Sequence, residues 1–437
     1  MSSLAPDIQV GTVGRNVALQ FTDRLVRLSV GFVVNVWIVR YLGPDGVGLL
    51  GFAQSLVAFA AIAAEIGLES ILIRELVRRP GDAQSLLATG AAMRLAGSAV
   101  AMLLAGGTVL LLRPGDQSAF ALVLVLASVT CFQAMDVVGF WFQSRARFAP
   151  LLIARGAAFL VASAAKIGCL VAGASLEQLA VAIALEGWLA ALALALAYRW
   201  GGGTWRGWRV DMAEAARLWH GAWPLMLNSA ALVAAARFDQ VIITQLRGPA
   251  ENGLYAAAQR LFEIVHIIPA AVAAAVAPEL IRAHARSRDA HLEQLARLFQ
   301  RLVWAAIAIA AVVSSLSGWI VPRLFGEAFR ASGPVLALLV WAAPALFLGV
   351  AQSNWFIVER DTRGLLVRSA VAAIVLVGLD LLLVPRYGAR GAAMAVIIAN
   401  TLAYIGVNAL VRETRPLFRL QLRALVPWRS PAPGSKP

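Results

Sequence analysis

The sequence predicts an all-α integral membrane protein with about twelve transmembrane helices, in two six-helix lobes around a central cavity. Three observations support this. Of the 437 residues, 60% are hydrophobic and 14% are charged, whereas soluble domains are about 25% charged. Apolar runs of bilayer-crossing length alternate with short polar stretches along the whole chain. One short motif also occurs twice, about half the chain apart. This composition excludes a soluble globular enzyme.

Each crossing is predicted from an apolar run between polar stretches. The runs lie near 17–39, 47–72, 86–112, 118–143, 149–174, 176–200, 219–246, 253–280, 299–322, 331–357, 365–384 and 389–411. The turns at 174–176 and 384–389 are short, so eleven or thirteen crossings stay open as alternatives.

The distribution of basic residues predicts the topology. With a cytoplasmic N-terminus, the inner loops and tails hold 24 Lys and Arg residues and the outer loops hold 7. Basic residues accumulate on the cytoplasmic side of membrane proteins. We therefore predict an even number of crossings, with both termini in the cytoplasm. The formal net charge of +14 then indicates affinity for anionic lipid rather than a nucleic-acid partner.

The repeated motif predicts two lobes of parallel topology. RYLGPDGVGLLGFAQSL begins at Arg40 and QLRGPAENGLYAAAQRL begins at Gln245, and 7 of their 17 positions are identical. Each copy follows a predicted crossing, the first or the seventh, so six helices separate the two copies. We predict an N-terminal lobe over 1–210, a C-terminal lobe over 211–415 and a basic cytoplasmic tail over 416–437.

The sequence contains no candidate residues for a metal site, a cofactor site or catalysis. Cys131 and Cys169 lie inside apolar runs, which is typical of small buried hydrophobic residues. The four His residues do not cluster, and Gly201–Gly203 lacks the Lys-Ser/Thr of a phosphate-binding loop. We expect no cofactor, no metal, no catalytic residue and no enzymatic activity.

Ionisable residues inside predicted crossings are costly to bury and indicate a wet cavity. They concentrate in the repeated crossings, the first, second, seventh and eighth. The basic candidates for a binding role there are Arg24, Arg27, Arg237 and Arg260, and the acidic candidates for coupling or gating are Asp23, Glu65, Glu69, Asp239 and Glu263. The alternative is that these charges form salt bridges that hold the bundle together. Asp23 and Arg27 are four residues apart on one predicted helix, a spacing that predicts such a pair. For Arg94, Asp136, Arg155, Lys166, Glu186 and Asp380 we favour such a structural role.

Two cytoplasmic segments are predicted to lie at the membrane surface. In the loop 281–301, apolar residues recur at helical spacing, which predicts an interfacial helix leading into the ninth crossing. The tail after Pro416 is basic and rich in proline, and we expect disorder beyond about residue 426.

Laid out in this way, the chain resembles the polysaccharide-biosynthesis (Wzx-type) flippases of the multidrug/oligosaccharidyl-lipid/polysaccharide exporter superfamily. The resemblance covers essentially the whole chain, and short motifs in the expected order carry it. They are Asn16…Arg24…Arg27, Arg40-Tyr41-Leu42-Gly43-Pro44…Gly48, Gly67-Leu68 with Arg74-Glu75, Arg237-Phe238-Asp239, Gly248-Pro249…Gly253-Leu254-Tyr255…Ala258, Pro269 with Pro278-Glu279, and Tyr387-Gly388-Ala389…Gly391-Ala392-Ala393.

The resemblance implies a fold and a function. The fold would be two six-helix lobes forming a V around a central cavity. The function would be movement of undecaprenyl-diphosphate-linked oligosaccharide from the inner to the outer leaflet of the bacterial inner membrane. The four Arg residues of the cavity would face the diphosphate. The implied partners are the lipid-linked oligosaccharide, membrane lipids and a polysaccharide polymerase.

Three alternatives stay open at this point. A drug or metabolite cation antiporter of the same superfamily would favour an acidic cavity that is poor in Arg. A lipid II flippase would have two more crossings than the twelve counted here. A polytopic scaffold without transport would leave the intramembrane charges without an explanation.

Overall fold

The computed structural model of the protein describes residues 10–358 and 362–426. That part of the chain folds into sixteen α-helices with short connecting turns and no β-strand. The first seven helices are α1 Val10–Glu65, α2 Leu68–Arg78, α3 Ala83–Leu112, α4 Gln117–Phe132, α5 Asp136–Ser144, α6 Phe148–Val171 and α7 Leu176–Trp200. The remaining nine are α8 Met212–Arg247, α9 Pro249–Val265, α10 Ile267–Arg286, α11 Arg288–Phe325, α12 Ser332–Leu339, α13 Ala343–Val358, α14 Thr362–Thr401, α15 Val407–Leu410 and α16 Arg415–Ala424.

Ten helical segments of the described chain are long and apolar enough to cross a membrane, which confirms the predicted all-α membrane fold class. Two of them, Asp23–Arg78 and Val367–Leu410, span 56 and 44 residues, whereas one crossing needs about 20. Each of these two segments bends at a glycine with positive φ, Gly43 or Gly388. The count of twelve crossings stays a prediction.

The chain divides into two compact units. The first unit contains the described residues up to Leu42 together with Ala53–Ala230, and the second contains Gly43–Phe52 and the described residues from Ala231 onward. Helices α1 and α8 each contribute residues to both units. The predicted lobe boundaries at 210 and 415 stay predictions.

The core of the first unit is formed by apolar residues at helical spacing. Leu68, Leu72 and Leu76 recur every fourth residue on α2 and are buried against α3 and α5. At one end of the cluster, aromatic rings of α5, α7 and the following loop stack edge to face, such as Trp141 on Tyr198 with centroids 5.0 Å apart. Helices α6 and α7 pack along their length beside this core.

Three turns that the sequence singled out lie together in the second unit. The Asn252 Nδ2 atom on α9 donates to the Gly48 carbonyl at 2.8 Å. The backbone N–H of Ala389, beside the bend in α14, donates to Glu251 Oε1 at 2.9 Å. Arg247 Nη2 reaches the Arg386 carbonyl at 3.0 Å. The motifs at Gly43, Gly248 and Gly388 therefore form one packed cluster.

The C-terminal helix α16 is fastened by buried polar groups. Gln421 on α16 is 1% exposed and donates to the Tyr404 carbonyl at 3.0 Å and to Gln352 Oε1 at 3.2 Å. Asn408 donates to both glutamine side chains, at 2.8 Å and 3.0 Å, and accepts from the buried Arg368. The first part of the predicted tail is thus helical, while the disorder predicted beyond residue 426 concerns residues outside the described ones.

Candidate functional site

Two predicted crossings of the first unit are interrupted rather than continuous. Between α1 and α2, Ile66 and Gly67 adopt φ values of 53° and 66°. A β-branched residue with positive φ is rare and strained. Between α4 and α5, residues Gln133–Met135 form a 3₁₀ turn. Irregular backbone inside a membrane is tolerated only where protein or a water-filled cavity surrounds it.

A cavity of about 540 Å³, here the first cavity, adjoins both interruptions. It lies among α1, α4, α5, α6 and α7, and apolar side chains such as Val57, Leu126 and Ile183 form much of its wall. Its polar lining consists of Arg27, Gln54, Glu65, Thr130, Gln133, Asp136, Arg155 and Glu186. This volume lies in the range of roughly 300–1,000 Å³ that is typical of small-molecule sites.

A second cavity of about 420 Å³ adjoins the first. The two share Glu65, Asp136 and Arg155 as lining residues. The rest of the second cavity comes from the start of α2 with Glu69 and Ser70, from Arg94 and Phe140, and from the α8 residues Leu225, Asn228 and Ser229. The two cavities therefore form one polar region inside the first unit.

Ion pairs hold most of the charged groups around these cavities. Arg155 Nη2 donates to Asp136 Oδ1 at 2.8 Å, and Arg94 Nη2 lies 3.6 Å from the other carboxylate oxygen. Lys166 Nζ donates to Glu186 Oε2 at 2.9 Å. Pairing lowers the cost of placing these charges at membrane depth.

Arg27 has the Asp23 partner that their i,i+4 spacing predicts. Its Nε atom donates to Asp23 Oδ2 at 3.0 Å, and its Nη1 atom lies 3.7 Å from Glu186 Oε1. The guanidinium carbon also lies 5.0 Å from the centroid of the Phe159 ring. Arg27 is therefore held in place on the wall of the first cavity.

Two polar atoms near the first cavity are buried without a hydrogen-bond partner among the described residues. They are Gln133 Oε1, an acceptor, and Arg27 Nη2, a donor. Glu65 lines both cavities and takes part in no ion pair or hydrogen bond of the described part of the chain. Buried polar atoms without partners are rare in proteins and call for an explanation.

The second unit holds a separate pair of buried carboxyl groups. Asp239 is 1% exposed and accepts hydrogen bonds from the Tyr255 hydroxyl and, at 2.7 Å, from the Gln240 backbone N–H. Asp380 on α14 is fully buried, and neither of its carboxyl oxygens has a hydrogen-bond partner in the described residues. Asp380 lies within electrostatic range of Asp239.

The basic candidates of the second unit lie on α8 and α9. Arg237 Nη1 lies 3.7 Å from Glu263 Oε1, so its ion-pair partner is Glu263 and not the sequence neighbour Asp239, whose carboxyl is held by Tyr255. Arg260 is half-buried one turn before Glu263.

The structure thus brings the predicted residues together in two groups, each within one unit. Asp23, Arg27, Glu65 and Glu69 lie near or on the cavities of the first unit, whereas the side chain of Arg24 is exposed and lines neither cavity. Arg237, Asp239, Arg260 and Glu263 lie on two adjoining helices of the second unit. The roles of all nine residues stay predictions.

Sequence reasoning missed the cavity residues of α4 to α7. Asp136, Arg155 and Glu186 are paired, as predicted for a structural role, but they also line the first cavity. Gln54 and Gln133 were not singled out, because a neutral amide in an apolar run gives a weak signal. For Asp380 the signal was present, since an acid inside a crossing is costly, but its partners could not be known.

Comparison with known proteins identifies the family. The sequence model described as Polysaccharide biosynthesis protein matches residues 13–284, which is more than half of the chain. Among curated proteins, none matches the chain.

Solved structures show the fold. A lipid II flippase MurJ in an inward closed conformation is 12% identical, with a TM-score of 0.71, over 94% of this chain and 90% of that one. An inward-facing multidrug resistance MATE family transporter of the MOP superfamily is 16% identical, with a TM-score of 0.65, over 90% and 94%. A MOP superfamily transporter from Pyrococcus furiosus is 15% identical, with a TM-score of 0.55, over 94% and 95%.

The family match covers the polar cavities of the first unit and the α8–α9 candidates alike. The first two structures are a lipid II flippase and a MATE family transporter of the MOP superfamily, and this chain shares their fold. The chain is a multi-pass membrane protein that belongs to the polysaccharide biosynthesis protein family and has the fold of MOP-superfamily transporters.

Proposed function

We propose that this protein is a flippase that moves undecaprenyl-diphosphate-linked oligosaccharide from the inner to the outer leaflet of a bacterial inner membrane. Surface or exported polysaccharide assembly would use the product. One observation carries the proposal. The chain belongs to the polysaccharide biosynthesis protein family, and charged and amide side chains line cavities between its apolar helices. Such groups are expensive at membrane depth unless a polar ligand or water uses them.

The diphosphate is assigned to basic residues of both halves of the repeat. Arg24 is exposed on α1, and Arg237 is on α8, which occupies the equivalent place in the second repeat. Arg260 lies on the following helix α9. Arg binds phosphate oxygens through two parallel hydrogen bonds, which makes it the preferred residue for such a group.

Energy coupling is assigned to acidic residues inside the predicted crossings, of which Asp239 and Asp380 are buried. A bare carboxylate without a donor would cost several kcal/mol at the position of Asp380, so a proton or a cation must accompany it. Asp239, which is buried in the same unit, is the second carboxyl of this candidate pair. Glu65 and Glu69, which line the second cavity, are the other candidate pair. An ion gradient acting on either pair would drive the return of the empty transporter.

A cation antiporter and a lipid II flippase remain the competing functions. An antiporter fits the acidic residues around the cavities, and a lipid II flippase shares the diphosphate chemistry. The exposed Arg24 and the half-buried Arg237 favour an anionic ligand over a cation. Lipid II differs from the proposed substrate in its sugars, so the glycan specificity separates these two.

A depletion experiment tests the proposed function. Cells that lose the protein should accumulate lipid-linked oligosaccharide on the inner leaflet and lose surface polysaccharide. Wild-type chain should reverse both effects. Restoration of peptidoglycan synthesis in cells without their lipid II flippase would instead support the lipid II alternative. Unchanged surface polysaccharide after complete depletion would exclude the proposal.

A further inference from the structure

We propose that the two adjoining cavities of the first unit form a subsite for the sugar part of the substrate, separate from the site of the diphosphate. The ligand class is a neutral glycan rich in hydroxyl groups. The inference rests on the proposed function. It adds where the sugar head group binds and that its hydroxyl groups are the groups recognised.

Charge is the first argument. Each cavity is lined by two basic and three acidic side chains, and Arg155, Asp136 and Glu65 belong to both. A diphosphate would meet an excess of acids here, so these cavities do not suit it. Asp136 and Glu186 already hold cationic partners at 2.8 Å and 2.9 Å. Paired charges present strong hydrogen-bonding groups without a net attraction for anions.

The two orphaned atoms are the second argument. Gln133 Oε1 needs a donor and Arg27 Nη2 needs an acceptor. A hydroxyl group is both, and a sugar carries several of them on one ring. Glu65 supplies a further acceptor, since no hydrogen bond or ion pair of the described chain occupies it. Hydroxyl groups match the hydrogen-bonding groups of the residues that line the first cavity, Gln54, Gln133 and Glu65 among them.

Aromatic rings in the lining are the third argument. Phe132 lines the first cavity and is 44% exposed, whereas Phe140, which lines the second cavity, is buried. Sugar rings have apolar C–H faces that can lie on such rings, while their hydroxyl edges reach the polar groups. Apolar walls with a few placed polar groups are typical of small-molecule sites. The lining includes Glu65, Gln133 and Asp136, which lie at the two helix interruptions.

The test compares one lipid with and without its sugars on the full chain in nanodiscs. The probes are undecaprenyl diphosphate and the lipid-linked oligosaccharide pool extracted from cells that express the chain naturally. Wild-type protein should bind the oligosaccharide form at least about tenfold more tightly. Gln133→Leu and Gln54→Leu each remove amide hydrogen-bonding groups from the first cavity, on the α4–α5 turn and on α1. Each should lose about five- to tenfold in affinity for the oligosaccharide form.

Controls separate the subsite from the fold and from the proposed function. Gln143→Leu, on α5 but outside both cavities, should bind both probes as wild type does. For Gln133→Leu, binding of undecaprenyl diphosphate should change by less than about twofold, because that lipid has no sugar. Equal weakening of both probes by Gln133→Leu and Gln54→Leu would overturn the subsite.

The remaining outcomes are also decisive. If undecaprenyl diphosphate binds and the sugars add no affinity, the subsite is wrong while the proposed function stands. If neither lipid binds to wild-type protein, the proposed function itself fails. If tetraphenylphosphonium binds to wild type and Gln133→Leu abolishes that binding, the cavities serve a cation, and the antiporter alternative replaces the glycan.

Discussion

Gly48 and Gly253, which hold equivalent positions in the two copies of the sequence repeat, each lie against the proline carbonyl of the other copy. A Cβ atom on Gly48 would overlap the Pro249 oxygen, and one on Gly253 would overlap the Pro44 oxygen. The two turns thus pack reciprocally. This symmetry supports a duplication, because a chance similarity would not pair equivalent residues in space.

Alanine at either glycine should force the two turns apart. Overpacking a close backbone contact costs about 1–3 kcal/mol, so Gly48→Ala and Gly253→Ala should each lower the thermal unfolding midpoint in detergent. The double variant should lose less than the sum, since one displacement relieves both clashes. Gly378→Ala is the control, because a Cβ there meets nothing within 4 Å. Unchanged midpoints in both single variants would contradict the packing.

The topology can be tested with reporter fusions. Fusions after Arg78, Arg206 and Arg286 should report cytoplasm, because basic residues concentrate in these loops. Fusions near Asp45, Asp116 and Ala250 should report the outer side. Alkaline phosphatase and a fluorescent protein would give opposite signals at each site. An outer signal at Arg286 would break the parity of the two six-helix halves.

Arg79 and Glu214 should stabilise the packing of the α2 end against the start of α8. Arg79 Nη2 donates to Glu214 Oε1 at 2.6 Å, and this hydrogen bond raises the pKa of Arg79 above its usual range. The guanidinium therefore stays charged at every working pH. Arg79→Gln should lower the free energy of unfolding by about 1–2 kcal/mol.

The adjacent Arg78 provides the matched control for this ion pair. Its side chain is 67% exposed and lies 3.9 Å from Glu75, so Arg78→Gln should be close to neutral. Equal effects of Arg78→Gln and Arg79→Gln on the unfolding midpoint would show that the link to Glu214 adds nothing.

Arg24→Ala and Arg237→Ala should each cut transport by an order of magnitude or more while the protein still inserts into the membrane. A charge-assisted contact to phosphate is worth about 1.5–3 kcal/mol. Lys should rescue only partly, because it lacks the bidentate geometry. Surface polysaccharide, measured at matched protein levels, is the readout.

The ion pair with Glu263 supplies the decisive comparison for Arg237. If Arg237 only balances Glu263, the double variant Arg237→Ala with Glu263→Ala should regain the transport lost in the single variant. A binding role predicts no such recovery. Wild-type export in both Arg24→Ala and Arg237→Ala cells would remove these residues from the site.

Asp380→Asn should uncouple transport and stabilise the fold. The amide keeps the shape but removes a buried carboxyl that has no donor, so the unfolding midpoint should rise. Ion-driven transport in vesicles should fall to the level seen with the gradient collapsed. Glu65→Gln and Glu69→Gln, measured in parallel, assign the coupling to one pair. Gradient-independent transport by the wild-type chain would exclude coupling through either pair.

The sequence was sufficient to predict the membrane helices of this molecule and one local ion pair. Apolar runs report the helices because the bilayer demands long uncharged stretches. The i,i+4 spacing of Asp23 and Arg27 was enough to predict their ion pair, which forms at 3.0 Å. Local geometry and solvent thus determine these features, without knowledge of how distant segments meet.

The remaining features depend on contacts between distant segments. No proline marks the interruption of the helix at Ile66. Gly67 alone does not predict a break, because a continuous helix can contain a glycine. Tyr255, 16 residues further along the chain, holds Asp239, and this left Arg237 to pair with Glu263. The position of Gln54 and Gln133 on the first cavity likewise depends on the helices that surround them. Burial decides these outcomes, and burial is a property of the packed bundle.

The buried hydrogen bonds of α16 form only after the last helix of the chain has been synthesised. Gln352 and Asn408 emerge from the ribosome before Gln421, which forms hydrogen bonds with both. A chain that stops before α16 would insert its crossings but leave these amides without full hydrogen bonding. The loss of these hydrogen bonds would lower the stability of the bundle, and chaperones and proteases remove less stable proteins. We therefore expect a chain truncated before α16 to be less stable than the complete chain.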